Sequence, residues 1–337
     1  VSAPAPRENK LLLGQDGAMA LLAEARASGR MHHAWLITGP QGVGKATLAY
    51  RFARHLLAGA PPDPQVSLDP SHPSFRRVAA STHADLLTIE RTFDAKRGKL
   101  RSEIAIDELR QVASFLRLTP AEGGWRVVII DGAEDIATRS SNVLLKILEE
   151  PPPRAVLILV CSAAGRLLPT IRSRCRRLRL GALPPDAMNT LMARYLPDTP
   201  PEQRERLASL ADGSIGRAIQ LAGGDGIPAA QLVERVLSSL PEPEPQLADS
   251  VSDALGRSED AFATFMELLR GAVAQAVRDT ARGRPDPDQA ALIGARPLDA
   301  WVDIWQALGR VQDETEGLFL DKRQAVAHSI ALLAASP

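Results

Sequence analysis

Apolar residues along the first 180 positions recur with two different periods, and the alternation between those periods predicts the architecture. A short apolar run, Trp35-Leu36-Ile37-Thr38, enters a glycine-rich stretch, after which 47–58 carries Leu48, Phe52, Leu56 and Leu57 at helical spacing. A second strand is expected over 85–90. An amphipathic helix is expected over 106–118, with Leu109, Val112, Ala113 and Leu116 on one face. Two nearly all-apolar segments follow, Val127-Val128-Ile129-Ile130 ending at Asp131, and Val156-Leu157-Ile158-Leu159-Val160; strands buried on both faces of a parallel sheet look like this. Between them a helix over 141–150 is stopped by Pro151-Pro152-Pro153, since proline cannot continue it. The pattern is a doubly wound α/β domain with a parallel sheet, and such sheets place their chemistry at the carboxyl ends of the strands.

From about residue 181 the strand signal disappears. Short helices are expected over 186–195 and 202–212, and the glycine-rich 223–228 reads as a hinge or domain boundary. Beyond it the chain reads as helical, with breaks at the Pro-Glu-Pro-Glu-Pro run of 241–245 and at 283–287. Leu298, Trp301, Ile304, Trp305, Leu308 and Val311 form a helical stripe expected to lie largely buried in a bundle core. The expected division is therefore 1–180, 181–226 and 227–337, with no internal repeat.

The glycine-rich stretch, Gly39-Pro40-Gln41-Gly42-Val43-Gly44-Lys45-Ala46-Thr47, has the spacing of a phosphate-binding loop. Glycines let successive N–H groups turn toward phosphates, Lys serves the outer phosphates, and a Ser or Thr directly after Lys ligates Mg²⁺. Here that last position is Ala46. Thr47 cannot replace it, because one residue along a helix turns the side chain by about 100°. Asp131 is the expected strand-end acid for Mg²⁺ or its waters. Gly132 follows where a water-polarising Glu is usual in related ATPases, and Glu134 and Asp135 are expected to point elsewhere. Two chemical parts are thus missing together, which argues against hydrolysis; the competing reading is a tight strand-to-helix turn with no ligand.

Charge and cysteine content narrow the classes further. Lys plus Arg and Asp plus Glu number 40 each, so no global field draws the chain to nucleic acid or membrane. Cys161 and Cys175 do not form a paired motif, which disfavours a zinc site or disulfide framework and fits a reducing cytoplasm. No apolar run has the length of a membrane span, and 1–10 lacks the apolar core of a signal peptide. The first residue is Val1 rather than Met, which leaves the native start open.

The segment Leu168-Pro169-Thr170-Ile171, leading into Ser173-Arg174-Cys175, resembles the signature of bacterial and eukaryotic clamp-loader subunits, which are AAA+ proteins. Leu148-Glu149-Glu150-Pro151-Pro152, Gly213-Ser214-Ile215-Gly216-Arg217-Ala218, Leu320-Asp321-Lys322-Arg323-Gln324-Ala325, Leu118-Thr119-Pro120 and the Trp125 strand resemble the same family. The resemblance covers most of the chain and implies a P-loop NTPase (AAA+) domain, a small helical lid and an all-α collar that holds a ring together. It implies a bacterial DNA polymerase III clamp loader, with gamma/tau and delta subunits as neighbours in a hetero-pentameric ring that places a sliding clamp on primed DNA. Arg174 would act in trans as an arginine finger in a neighbour's ATP site. Arg172, Arg174, Arg176 and Arg177 as a solvated or DNA-facing patch is the alternative.

By the same resemblance Ser162 takes the first-sensor position, or simply caps a strand end, and Arg217 the second-sensor position. The candidate nucleotide set is Gly39, Gly42, Gly44, Lys45, Thr47, Asp131, Ser162 and Arg217, a degenerate site in which ATP binding is weak or absent. Many relatives carry a cysteine-ligated zinc module after the loop helix. No cysteine occurs over 59–90, and His72 and His83 alone cannot complete a tetrahedral site, so no zinc is expected. His32 and His33 are expected to pack or cap. The leading expectation is a largely non-hydrolysing clamp-loader subunit. The runners-up are a self-sufficient gamma/tau-type ATPase, disfavoured by Ala46, Gly132 and the lack of a long C-terminal extension, and a stand-alone DNA-binding protein, disfavoured by balanced charge.

Overall fold

A computed structural model describes residues 3–94, 99–101, 103–256, 258, 260–283, 293 and 296–334. It resolves into two compact units. The first takes the chain up to Asp198 together with Ala211–Ile219; the second takes Thr199–Leu210 and the chain from Gln220 onward.

The first unit contains α1 (Asp16–Ala27), β1 (Ala34–Thr38), α2 (Lys45–Leu57), α3 (Pro73–Ala79), β2 (Leu86–Ile89), the short hairpin strands β3 (Phe93–Asp94) and β4 (Lys99–Leu100), and α4 (Ile106–Arg117). It continues through β5 (Arg126–Asp131), α5 (Ser141–Glu149), β6 (Ala155–Cys161), α6 (Pro169–Arg172), β7 (Arg176–Arg179) and α7 (Pro185–Tyr195). Five parallel strands are ordered β2-β5-β6-β1-β7. The central strand β6 is buried along its whole length, as its unbroken apolar run requires. Alternate strand residues feed opposite faces. Ile37, Ile129, Ile158 and Val160 join Leu48 and Phe52 of α2 on one side, whereas Leu36, Ile130, Leu157 and Leu159 join Leu109 of α4 and Leu144 of α5 on the other. The chain thus winds in both directions from β1, and the crevice falls at the carboxyl ends of β1, β5 and β6.

Two buried arginines tie irregular segments to this frame. Arg54 of α2 donates to the carbonyls of Arg7 (2.9 Å) and Asn9 (2.8 Å) and stacks 4.2 Å from the Phe75 ring centroid. Burial lowers its pKa to about 10, which still leaves it charged at neutral pH. Arg126, at the start of β5, donates to the carbonyls of Phe115 (2.6 Å) and Thr119 (2.7 Å) and pairs with Asp85 at 3.4 Å. Asp85 in turn accepts from the N–H groups of Ala121 (2.8 Å) and Glu122 (3.1 Å).

The second unit is helical: α8 (Pro201–Leu210), α10 (Gly226–Ser238), α11 (Leu247–Leu255), α12 (Ala261–Ala281), and two further helices, Leu298–Leu318 and Lys322–Ala334. A helix α9 (Ile215–Ala222) starts in the first unit and ends in the second. Phe262, Phe265, Trp301, Leu308, Val326 and Ile330 are buried. The stripe on Leu298–Leu318 is less covered than its periodicity suggests. Trp301 and Leu308 are enclosed, while Leu298 and Trp305 remain 37% and 38% exposed, and Trp305 is faced by the Arg270 guanidinium at 4.7 Å. The break expected at 283–287 lies outside the described residues apart from Gly283. Among the described residues no helix is long and apolar enough to cross a membrane.

Asp85 is nearly inaccessible, so removing its cation strands a charge in the interior. Arg126→Leu is expected to lower unfolding stability by about 3–5 kcal/mol in urea titrations. Adding Asp85→Asn should recover part of that loss; no recovery would show that the arginine's carbonyl contacts, rather than the ion pair, hold this edge.

Candidate functional site

The glycine-rich loop joins the end of β1 to the start of α2, and its three outer glycines are required by space and backbone angle. Gly39, Gly42 and Gly44 have φ of 149°, 76° and 98°, in the region that L side chains avoid. A Cβ on Gly39 would sit 2.4 Å from the Leu180 carbonyl oxygen, and one on Gly42 would sit 2.4 Å from Ser214 Oγ and 2.9 Å from Gly216 Cα. The first turn of α9 presses on the loop backbone here. The Ser214 hydroxyl donates to the Gln41 carbonyl (2.7 Å), and the Gly216 N–H donates to the Gly42 carbonyl (3.0 Å). Lys45 opens α2; its Nζ donates back to the Pro40 carbonyl at 2.6 Å. Lys45 is buried, which lowers its pKa, while Glu134 and then Asp131 oppose that shift.

The loop borders a cavity of about 820 Å³. Gly42, Gly44, Lys45, Ala46 and Thr47 form one wall, and Asp131, Glu134 and Ser162 another. Asn9 and Tyr195 contribute as well, the Tyr195 hydroxyl donating to Asn9 Oδ1 at 3.2 Å. Burial and the nearby Glu90 raise the pKa of Asp131, while Lys45 lowers it.

Glu134 corrects the expectation that it points away. Gly132 is left-handed (φ 78°, ψ 46°) and starts a 3-10 turn, Ala133–Asp135, that swings Glu134 back over the cavity. Glu134 Oε1 accepts from the N–H groups of Ser162 (2.8 Å) and Ala163 (3.3 Å), and Oε2 is buried. The Cys161 thiol beside it is pushed up to about 12 by burial and by this carboxylate, so it stays neutral. Asp135 binds Arg91 (3.3 Å) and Arg166 (3.7 Å).

Of the residues expected to contact nucleotide, Gly42, Gly44, Lys45, Thr47, Asp131 and Ser162 converge on this cavity. Gly39 lies behind it against Leu180, and Arg217 follows Gly216 into α9, with its N–H donating to Ser214 Oγ at 3.1 Å. Arg174 is elsewhere: its guanidinium bonds Glu149 Oε1 at 2.8 Å and the Thr170 carbonyl at 3.0 Å. Glu90, Glu134, Asp135, Asn9 and Tyr195 were not singled out by sequence as site residues; the left-handed glycine after Asp131 was the available signal for Glu134. The glycine cradle and Lys45 suit a polyphosphate, and Asp131 with Glu134 and Glu90 suits a cation or its waters, while Ala46 supplies no hydroxyl ligand for Mg²⁺. His33 Nε2 hydrogen bonds with the Leu148 carbonyl at 3.0 Å, and His72 caps α3 by accepting from the Ser74 N–H. Among the described residues no cluster of His, Cys, Asp or Glu is arranged to hold a metal ion.

Residues 14–184 match the sequence family described as DNA polymerase III, delta subunit. The delta-prime subunit of DNA polymerase III from Pseudomonas aeruginosa is 36% identical over 207 residues, covering 60% of this chain and 60% of that protein. The tau subunit from Salmonella typhimurium is 28% identical over 278 residues, covering 79% of this chain and 40% of the relative. The match therefore spans between two fifths and three fifths of the length of these curated relatives. Among solved structures, a gamma-subunit-related protein from Thermotoga maritima aligns over 95% of this chain and 98% of its own, with 18% identity and a TM-score of 0.43. The chain belongs to the DNA polymerase III delta-subunit family.

Asp131 gives the cavity a pH signature. A carboxylate whose folded pKa is raised contributes stability that is present at acid pH and lost as pH rises through that pKa. Asp131→Asn should therefore match the wild type in acid and become the more stable protein toward neutrality, as read from urea midpoints between about pH 4 and about pH 8. A difference that stays constant across that range would show that burial of the charge is not what the cavity opposes.

Proposed function

We propose that this chain is a delta-prime-type subunit of a bacterial clamp loader, a ring component that helps place the sliding clamp on primed DNA without hydrolysing ATP itself. The observation that carries the reading is the phosphate cradle at the end of β1, intact in its glycines and Lys45 but holding Ala46 and Gly132 where the metal hydroxyl and the water-polarising carboxylate belong. Nucleotide binding in this reading is weak or absent. The chain works beside gamma/tau and delta subunits in a hetero-pentameric ring in the cytoplasm, with residues 1–180 as the AAA+ domain, 181–226 as the lid and 227–337 as the collar.

Arg174 is the residue assigned to chemistry, in trans. Its side chain is 37% exposed and is held by an exposed carboxylate and a carbonyl. A guanidinium carries five N–H donors, so these two bonds leave others for a phosphoryl group of a neighbouring subunit. A finger stabilises charge that develops in the transition state rather than in bound substrate.

The isolated chain is expected to show no ATP turnover above background, with or without DNA, in a phosphate-release assay. Turnover that Lys45→Ala abolishes would overturn the reading. In the assembled complex, Arg174→Ala should incorporate normally yet slow a partner's hydrolysis at saturating ATP, by up to ~10³–10⁵ at the site it serves. Arg174→Lys should rescue poorly, since a point charge lacks the forked donors. If only DNA affinity falls and DNA-independent turnover is spared, Arg174 belongs to a nucleic-acid contact instead.

A further inference from the structure

Lys45 Nζ rests on the Pro40 carbonyl at 2.6 Å and shares its cavity with the carboxylates of Glu134 and Asp131. Glu134 leads the charges that favour its protonated form, ahead of Asp131. The Glu134 carboxylate is fixed in place, with Oε1 taking the N–H groups of Ser162 and Ala163 and Oε2 buried, the Cys161 thiol lying beside the group. The other cations on the cavity wall, Arg91 and Arg166, are both engaged by Asp135. In a magnesium-loaded phosphate loop the metal is the largest local charge and offsets nearby carboxylates. Ala46 removes one protein ligand for that metal, and where no metal is bound Glu134, Asp131 and Glu90 meet an incoming polyphosphate unscreened.

We propose that Glu134 is a resident anion of the phosphate cradle, taking the electrostatic place of a nucleotide's outer phosphates and excluding nucleoside triphosphate from this chain. The proposal rests on the reading of the cavity as a former nucleotide site. It assigns a cause to weak binding that Ala46 alone does not give, because loss of a metal ligand weakens metal-dependent binding only. Glu134 also caps the end of β6, and the two roles separate chemically: glutamine keeps an acceptor oxygen for Ser162 and loses the charge.

The test is calorimetric titration of the full chain with ATP in excess chelator, so that no metal contributes. Glu134→Gln is expected to bind ATP at least about tenfold more tightly than wild type, about 1.4 kcal/mol. Lys45→Ala added to Glu134→Gln should erase the gain. Should Glu134→Gln fail to fold, by thermal unfolding, Glu134→Ala serves in the same titration. Equal ATP affinity in wild type and variant overturns the resident anion while leaving the nucleotide-site reading standing. If wild type, Glu134→Gln and Ala46→Thr with Mg²⁺ all fail to bind ATP, the nucleotide-site reading falls, and the proposal with it.

Discussion

Close packing of backbone on backbone, Gly42 against Gly216, is the constraint on which the site depends. A Cβ on Gly216 would meet Gly42 Cα at 2.7 Å, so neither position accepts a side chain without moving the other segment. That contact lets the Gly216 N–H and the Ser214 hydroxyl take two successive loop carbonyls. Since the N–H and C=O of a trans peptide point in opposite directions within its plane, holding these carbonyls turns the N–H groups of Gly42 and Val43 the other way. The loop's donors are therefore oriented by the protein before any ligand arrives, and α2 begins where the left-handed Gly44 lets the chain turn.

Charge in the cavity follows from burial. Lys45 is shielded enough to lose part of its preference for protonation, and Asp131 enough to gain one. Each offsets the other, as a buried cation and anion must when water is scarce. Glu134 shifts this balance toward negative charge. The cradle thus joins a backbone and a lysine that favour phosphate to carboxylates that favour it only with a cation between them.

The sequence made the frame legible wherever burial on both faces wrote a continuous apolar run. β1, β5 and β6 were readable for that reason, and α5 because prolines end it. β7 was not, because only Leu178 of Arg176–Arg179 is buried and the strand reads as a basic segment. Its place beside β1 comes from parallel pairing, which composition does not encode. The Leu298–Leu318 stripe shows the limit of periodicity: spacing marks a common face, yet only Trp301 and Leu308 are enclosed. In the site, spacing alone located the glycines and Lys45. It missed Glu134, because one left-handed residue at Gly132 reverses the direction in which a turn delivers its side chains.

The arginines at and after the end of α6 contrast with that cavity, since here apolar anchors do the placing. Ile171 and Cys175 are both buried in the core layer beneath β6, and Arg174 stands between them with its side chain half out. Burial pushes the Cys175 thiol up to about 12, so it acts as a neutral apolar plug rather than a nucleophile. With the backbone fixed on both sides, the guanidinium is confined to the reach of Glu149 and the Thr170 carbonyl. Its neighbours are committed differently: Arg172 donates to the Ala164 carbonyl, and Arg176 lies over the Trp35 ring. Arg172, Arg174 and Arg176 thus each have a partner of their own. Individual anchoring of this kind suits the directed donor proposed for Arg174, because the strength of a forked hydrogen bond depends on approach angle as well as on charge.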